Sequence, residues 1–195
     1  NFISSNFYEE RLICDDRTDK RIIKFNDKSI INKDGIHYIE MKHKNNVQTS
    51  IEEFEVVKSL MKQLIGVEFD DNGKKRKLTA NDFLVISPYN TQVNLLISKL
   101  EEEKIKNPRV GTIDKFQGQE APIAIISMTS SDSDSLPINK EFFFNRNRLN
   151  VAISRAQVAS IILFNPNLLD SSPKNLEQIK LMNNFFKFLN YKIKH

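Results

Sequence analysis

The chain has 195 residues, of which 39% are hydrophobic and 28% charged, with a formal net charge of +4. That is enough chain for one domain with a real core, and the mild positive charge is compatible with a nucleic-acid partner without requiring one. Cys14 is the single cysteine and the three histidines are scattered, so a disulfide framework and a cysteine-based zinc site are excluded, no metal site is expected, and a reducing, cytoplasmic setting fits best. No apolar run reaches the roughly 18 residues of a membrane helix.

The first 32 residues carry a short helix-like pattern (Phe2, Ile3, Phe7, Tyr8, Leu12, Ile13), a charged loop to Arg21, and a possible strand over Arg21–Phe25. The first clear element is a strand over Ile36–Met41, expected near a sheet edge. Ser50 and Glu53 have the spacing of a reciprocal capping box. Phe54, Val57, Leu60, Met61, Leu64 and Ile65 then follow at helical spacing, and Gly66 is placed to stop the helix. Asp70–Lys77 reads as a polar loop with a cationic end, either a solvated hairpin tip or a phosphate contact.

Phe83–Ser87 is a continuous apolar run, which suits a parallel strand covered on both faces. Asn90 can cap the next helix, whose buried stripe is Val93, Leu96, Ile97 and Leu100. A strand over Val110–Ile113 follows, and Asp114 with Gln117 again has capping-box spacing, so a short helix is expected there. Further strands are expected at Ile123–Met128 and Val158–Phe164, with a Ser/Asp loop over Thr129–Pro137 and a helix over Asn145–Gln157 carrying Arg146, Arg148 and Arg155. Asn165-Pro166 and Ser172-Pro173 place capping residues before prolines, and a last apolar-striped helix ends the chain. Strands alternating with helices predict a three-layer, doubly wound α/β fold with a mostly parallel sheet. Ligands in such folds lie at the carboxyl ends of the strands.

Neither a G-x-x-x-x-G-K-[ST] phosphate loop nor a G-x-G-x-x-G fingerprint occurs. Any nucleotide site must then be shared with residues elsewhere. Three segments carry the functional signal: Ser87-Pro88-Tyr89-Asn90-Thr91-Gln92, then the run from Val110 through Asp114-Lys115-Phe116-Gln117-Gly118-Gln119-Glu120, then Asn147-Arg148-Leu149-Asn150-Val151-Ala152-Ile153-Ser154-Arg155-Ala156. In this order they resemble three late motifs of superfamily 1 helicases, closest to the 5′-to-3′ branch that holds the nonsense-mediated-decay and Okazaki-flap helicases. The opening Phe2–Leu12 is similar to the segment that begins the second motor domain in that branch.

The resemblance implies a RecA-like second motor domain over residues 1–195, with 1–32 as lead-in and 171–195 as a closing helix. The phosphate loop and most Mg²⁺ ligands would lie on a first motor domain, and one further arginine in a motif just before the point where this sequence begins. It implies ATP with Mg²⁺, bound between the two domains, and single-stranded DNA or RNA as partner. Carried over residue by residue, Arg155 would be the arginine finger and Glu120 a ribose or water contact. Gly118 would allow close backbone approach to phosphate, or simply form a turn. Arg148 would support the nucleotide or form an ion pair. Tyr89, Asn90, Gln92, Thr112, Asp114 and Lys115 would meet the strand, with Asn90 alternatively only a helix cap. Phe142–Phe144 would stack on bases or belong to the core. A different reading is a non-catalytic nucleic-acid-binding module that keeps the motor fold.

Overall fold

The computed structural model describes residues 21–27, 29–131 and 146–169. The expected elements in Phe2–Ile13, the far part of the Ser/Asp loop, Phe142–Phe144 and the closing helix lie outside these. Five parallel strands form the main sheet: β2 (Gly35–Glu40), β5 (Phe83–Ile86), β6 (Val110–Gly111), β7 (Ala121–Ser127) and β8 (Ala156–Phe164). Their spatial order is β2-β8-β7-β5-β6, which puts β2 at an edge as expected.

Side chains alternate across a strand, so each apolar run feeds two cores. Phe83, Val85, Ile123, Ile125, Ile161 and Leu163 face helices α1 (Ile51–Leu64) and α2 (Asn90–Glu102). Leu84, Ile86, Ile126, Ile162 and Phe164 pack with Ile113, Phe116 and helix α3 (Arg146–Ile153) on the other side. A sheet with both faces covered is the three-layer RecA-like arrangement read from the sequence.

Helix α1 starts as expected, with Ser50 Oγ accepting the Glu53 amide at 3.1 Å. The reciprocal bond of the capping box is replaced: Ser50 N donates to Gln92 Oε1 at 2.8 Å, because the Glu53 carboxylate turns inward. The helix ends at C-cap Ile65, and Gly66 follows with φ +89°, a left-handed position suited to glycine.

A second sheet is antiparallel, ordered β1 (Arg21–Ile23), β3 (Glu68–Asp71), β4 (Lys74–Lys77). The polar Asp70–Lys77 stretch is thus a hairpin. Asn72 (φ +56°) and Gly73 (φ +89°) occupy its tip, the pair that a two-residue hairpin turn favours. Every residue of β4 is exposed. Arg76 reaches back over the Phe69 ring and forms a fork with Asp82 at 2.6 and 2.8 Å.

Two expectations about the motif segments are corrected. The strand at Val110 lasts two residues, and one 3₁₀ turn (Ile113–Phe116) replaces the expected helix, with Thr112 rather than Asp114 at its N-cap. The turn forms where it does because Ile113 and Phe116 are both drawn into the second core. Helix α3 stops at Ile153, so Arg155 lies beyond it, in the joint before β8. Pairing of β8 with β7 begins at Ala156 opposite Ala121 and ends the helix there.

Candidate functional site at two rims of the sheet

In a parallel sheet all carboxyl ends share one rim and all amino ends the other. The motif residues divide between them. Tyr89 and Asn90 follow β5 and Thr112 follows β6, at the carboxyl rim. Gly118, Gln119 and Glu120 immediately precede β7, and Arg155 immediately precedes β8, at the amino rim. The expectation of ligand groups at carboxyl strand ends therefore covers only the first set.

At the carboxyl rim, Tyr89 occupies the N-cap position of α2 and Asn90 is the first helical residue, so Asn90 does not cap the helix. Asn90 is exposed. The Tyr89 hydroxyl meets Ser130 Oγ at 3.2 Å, and burial pushes its pKa up. Gln92 was expected to meet nucleic acid, and the structure places it inward. Its side chain is fully buried, holding Ser50 N, Ser50 O (3.1 Å) and Ser127 Oγ (3.2 Å).

Thr112 is half-buried, and its carbonyl accepts the Lys115 amide at 3.1 Å. The Lys115 side chain folds back across Gly111 and donates from Nζ to Val110 O at 2.8 Å. Its ammonium is thus engaged at a strand end. A Cβ at Gly111 would run into this lysine, which accounts for glycine there. Asp114 is 75% exposed and faces Arg148 at 4.0 Å, so its carboxylate is partly neutralised.

At the amino rim, Ala121 N donates to Arg155 O at 3.0 Å and ties the two strand starts together. The half-buried Arg155 side chain donates from Nε to Val151 O at 3.0 Å, from Nη1 to Gln119 O at 3.3 Å, and from Nη2 to Ser154 Oγ at 3.3 Å. It caps the carbonyl end of α3 in the way a terminal arginine does. A guanidinium has five N–H donors, so two remain for another acceptor. Gly118 has φ +75° and open space where a Cβ would stand. Glu120 is exposed, with Gln157 Nε2 3.4 Å from its carboxylate. One turn before Arg155, Asn150 Oδ1 is buried with no hydrogen-bond partner among the described residues. A cation with spare donors, an open glycine turn and an exposed carboxylate fit a nucleotide shared with another surface. Among the described residues no group of His, Cys, Asp or Glu is placed to hold a metal, and no helix is long and apolar enough to cross a membrane.

Behind the carboxyl rim lies a polar cluster that the sequence reading missed. The Glu53 carboxylate is fully buried and accepts three donors: His43 Nε2 (3.2 Å), Ser127 Oγ (2.5 Å) and Thr129 N (2.9 Å). His43 Nδ1 meets Ser131 Oγ at 2.8 Å and faces the Asn165 amide nitrogen at 3.4 Å. A donor facing Nδ1 leaves Nε2 as the nitrogen that donates to Glu53. Burial drives the Glu53 pKa up, and the three donors only partly oppose it. One signal was present in the sequence: Glu53 lies four residues before Val57 and seven before Leu60, on the apolar stripe of α1.

Residues 1–167 match the family model described as an AAA domain. The chain is 36% identical over 99 residues to the probable RNA helicase armi of Drosophila melanogaster, covering 49% of the chain and 8% of that protein. It is 35% identical over 166 residues to the uncharacterized ATP-dependent helicase MJ0104 of Methanocaldococcus jannaschii, covering 85% of the chain and 22% of that protein. The DNA replication ATP-dependent helicase/nuclease dna2 of Schizosaccharomyces pombe is 31% identical over 151 residues, covering 77% of the chain and 10% of that protein. The chain therefore spans less than a quarter of the length of these relatives. With the three motifs in order on a RecA-like sheet, this match makes the chain a member of the AAA domain family, of the superfamily 1 helicase type that includes the nonsense-mediated-decay and Okazaki-flap enzymes.

Proposed function

We propose that the chain is the second motor domain of an ATP-dependent helicase that moves along single-stranded DNA or RNA. The observation that carries this is the meeting of Gly118–Glu120 with Arg155 at the adjacent starts of β7 and β8, with Arg155 on the Gln119 carbonyl 36 residues away. A separate set, Tyr89, Asn90 and Thr112, stands at the opposite rim. Two rims allow one domain to face a nucleotide and a strand at the same time.

On this reading, ATP with Mg²⁺ is the substrate, and its hydrolysis supplies the free energy for movement. Arg155 is the charge-stabilising group. Its guanidinium exchanges backbone carbonyls for phosphate oxygens, and such charge-assisted bonds are about twice as strong as neutral ones. Glu120 orients a ribose hydroxyl or a water. Gly118 keeps its turn clear of side-chain bulk. Thr112 and the N-terminus of α2 present hydroxyl and backbone donors to phosphates, which position a strand without reading its sequence. Arg148 is held off by Asp114 and acts mainly as local counter-charge.

The test is Arg155→Ala in the full-length protein. The expected result is loss of strand-stimulated ATP turnover by about 10³-fold or more, with strand affinity within about threefold. Retained turnover would overturn the assignment of Arg155. The rival is a non-catalytic nucleic-acid-binding module. It is favoured by the three bonds that already hold Arg155 to Val151, Ser154 and Gln119, and it expects no ATP turnover to lose.

A further inference from the structure

Three loops at the carboxyl rim are stitched to one another by the buried cluster. The turn at the end of β7, Ser127–Ser131, is bonded to the loop after β2 through Ser130 and Ser131, and Ser131 Oγ also accepts Asn46 N at 2.9 Å and meets His43 Nδ1. Ser131 N donates to Asn46 O at 2.8 Å, and Ser130 Oγ donates to Val47 O at 2.6 Å. The turn is bonded to the loop after β5 at two points, where Thr129 Oγ1 meets Ser87 Oγ and Ser130 Oγ meets the Tyr89 hydroxyl, each at 3.2 Å.

The centre of this turn is Thr129, which has φ +72° and is fully buried. A β-branched residue avoids that conformation, and it persists only where the surroundings impose it. What imposes it is Glu53. Its Oε1 takes the Thr129 amide while the same carboxylate takes Ser127 and His43. A carboxylate has the acceptor capacity for all three donors, and its place in the first turn of α1 puts it at the positive end of the helix.

We propose that Glu53 is a positioning residue for the single-strand face: it fixes the turn at Thr129, and through Ser130 that turn fixes Tyr89 beside Asn90. Glu53 is buried and touches no strand itself. The inference rests on the reading above only for what meets Tyr89. Gln92 supports the same assembly from the other side, since it bonds both Ser127 of the turn and Ser50 of α1.

The experiment measures strand-stimulated ATPase of the full-length protein with short oligo(dT) and oligo(U), for the unaltered protein, Glu53→Gln and Ser130→Ala. Thermal unfolding is followed in parallel. Both variants are expected to raise the half-saturating strand concentration about tenfold, with kcat at saturating strand and KM for ATP within about twofold. If Glu53→Gln does not fold, Ser130→Ala decides, because it cuts the link to Tyr89 without leaving a buried carboxylate unpaired. Unchanged half-saturation in the folded variants overturns the proposal. So does a Glu53→Gln protein that loses kcat, strand response and thermal stability together while Ser130→Ala behaves as the unaltered protein, since that is an ordinary structural role. No strand stimulation of the unaltered protein would instead overturn the strand-binding reading, and the positioning inference with it.

Discussion

Gln92 closes on Ser50 from both sides: its Oε1 accepts Ser50 N at 2.8 Å and its Nε2 donates to Ser50 O at 3.1 Å. One amide thus substitutes for a strand pairing between the start of α1 and the start of α2. Truncation leaves the Ser50 amide buried without its partner, while Ser50 O keeps the Phe54 amide and Ser127 Oγ keeps Glu53; a buried unsatisfied group costs about 1–3 kcal/mol, and a cavity adds to it. Gln92→Ala is expected to lower stability by about 2–4 kcal/mol, read as a shifted urea midpoint with unchanged slope. A variant that keeps its midpoint but loses strand affinity would restore Gln92 to the surface role that its motif suggests.

The pH dependence of the buried cluster has a definite sign. Burial raises the Glu53 pKa in the folded chain, so between the unfolded value of about 4.3 and the folded one the folded state holds the extra proton. Stability contributed at this site falls as pH rises through that window and is level above it. The titratable group facing Glu53 is His43 across the cluster; Glu52, next to it in the chain, points to Asn46 and Ser50, and its pKa is lowered. For Glu52, burial pushes upward but its own amide, Asn46 and Ser50 outweigh it. The difference in unfolding free energy between the unaltered chain and Glu53→Gln isolates the effect. It is expected to shrink, to the disadvantage of the unaltered chain, from pH 4.5 upward. A difference that grows with pH would mean that the carboxylate is stabilised on folding rather than strained.

The central strands of the large sheet were legible because each carries a short apolar run, and burial on both faces leaves little choice of residue, whereas the polar β3 and β4 were read as a loop. Phe83–Ile86 and the core of Ile123–Ser127 read directly. Element ends were less legible, because tertiary pairing sets them. The sequence from Asn145 continues in helical style to Gln157, but pairing of Ala156 with Ala121 ends α3 at Ile153 and moves Arg155 into a joint. The motif residues were visible as motifs, and their division between two rims was not. Gly118 to Glu120 stand at the start of β7 because a single 3₁₀ turn carries the chain back from β6, and turns of that kind leave no periodic trace. The Glu53 cluster was hidden for a similar reason. Its partners, His43, Ser127, Thr129 and Asn165, come from three segments, and none is distinctive alone.

Asp82 anchors the small sheet to the large one. It accepts the Arg76 fork, the Thr79 amide at 2.7 Å and the Thr79 hydroxyl at 2.9 Å. Burial pushes its pKa upward, but the Arg76 guanidinium and the two Thr79 bonds outweigh it and hold the group below the usual carboxylate range. The stability it contributes is present above its unfolded value of about 3.9 and is lost as pH falls through the lower folded value. Arg76 is half exposed, so solvent screens the pair and most of the effect comes from the capping bonds. Asp82→Ala is expected to cost about 1–3 kcal/mol near neutral pH. Arg76→Ala should cost less, about 1 kcal/mol or below. Equal losses in a urea titration of the two variants would assign the stabilisation to the ion pair instead.

Gly118 separates a backbone requirement from a ligand requirement. Its φ of +75° is left-handed, where a side chain costs about 1–2 kcal/mol, and nothing lies within 4 Å of the place a Cβ would take. Gly118→Ala should therefore lower stability by about 1 kcal/mol and no more, since there is no collision to relieve. If the turn also faces phosphate, the added methyl stands in the space that the nucleotide needs. KM for ATP in the full-length protein should then rise about tenfold or more, a loss of at least about 1.4 kcal/mol in binding, while strand affinity at the opposite rim stays the same. A stability loss with no change in KM for ATP would reduce Gly118 to a turn residue and would leave Arg155 and Glu120 as the nucleotide contacts proposed at the amino rim.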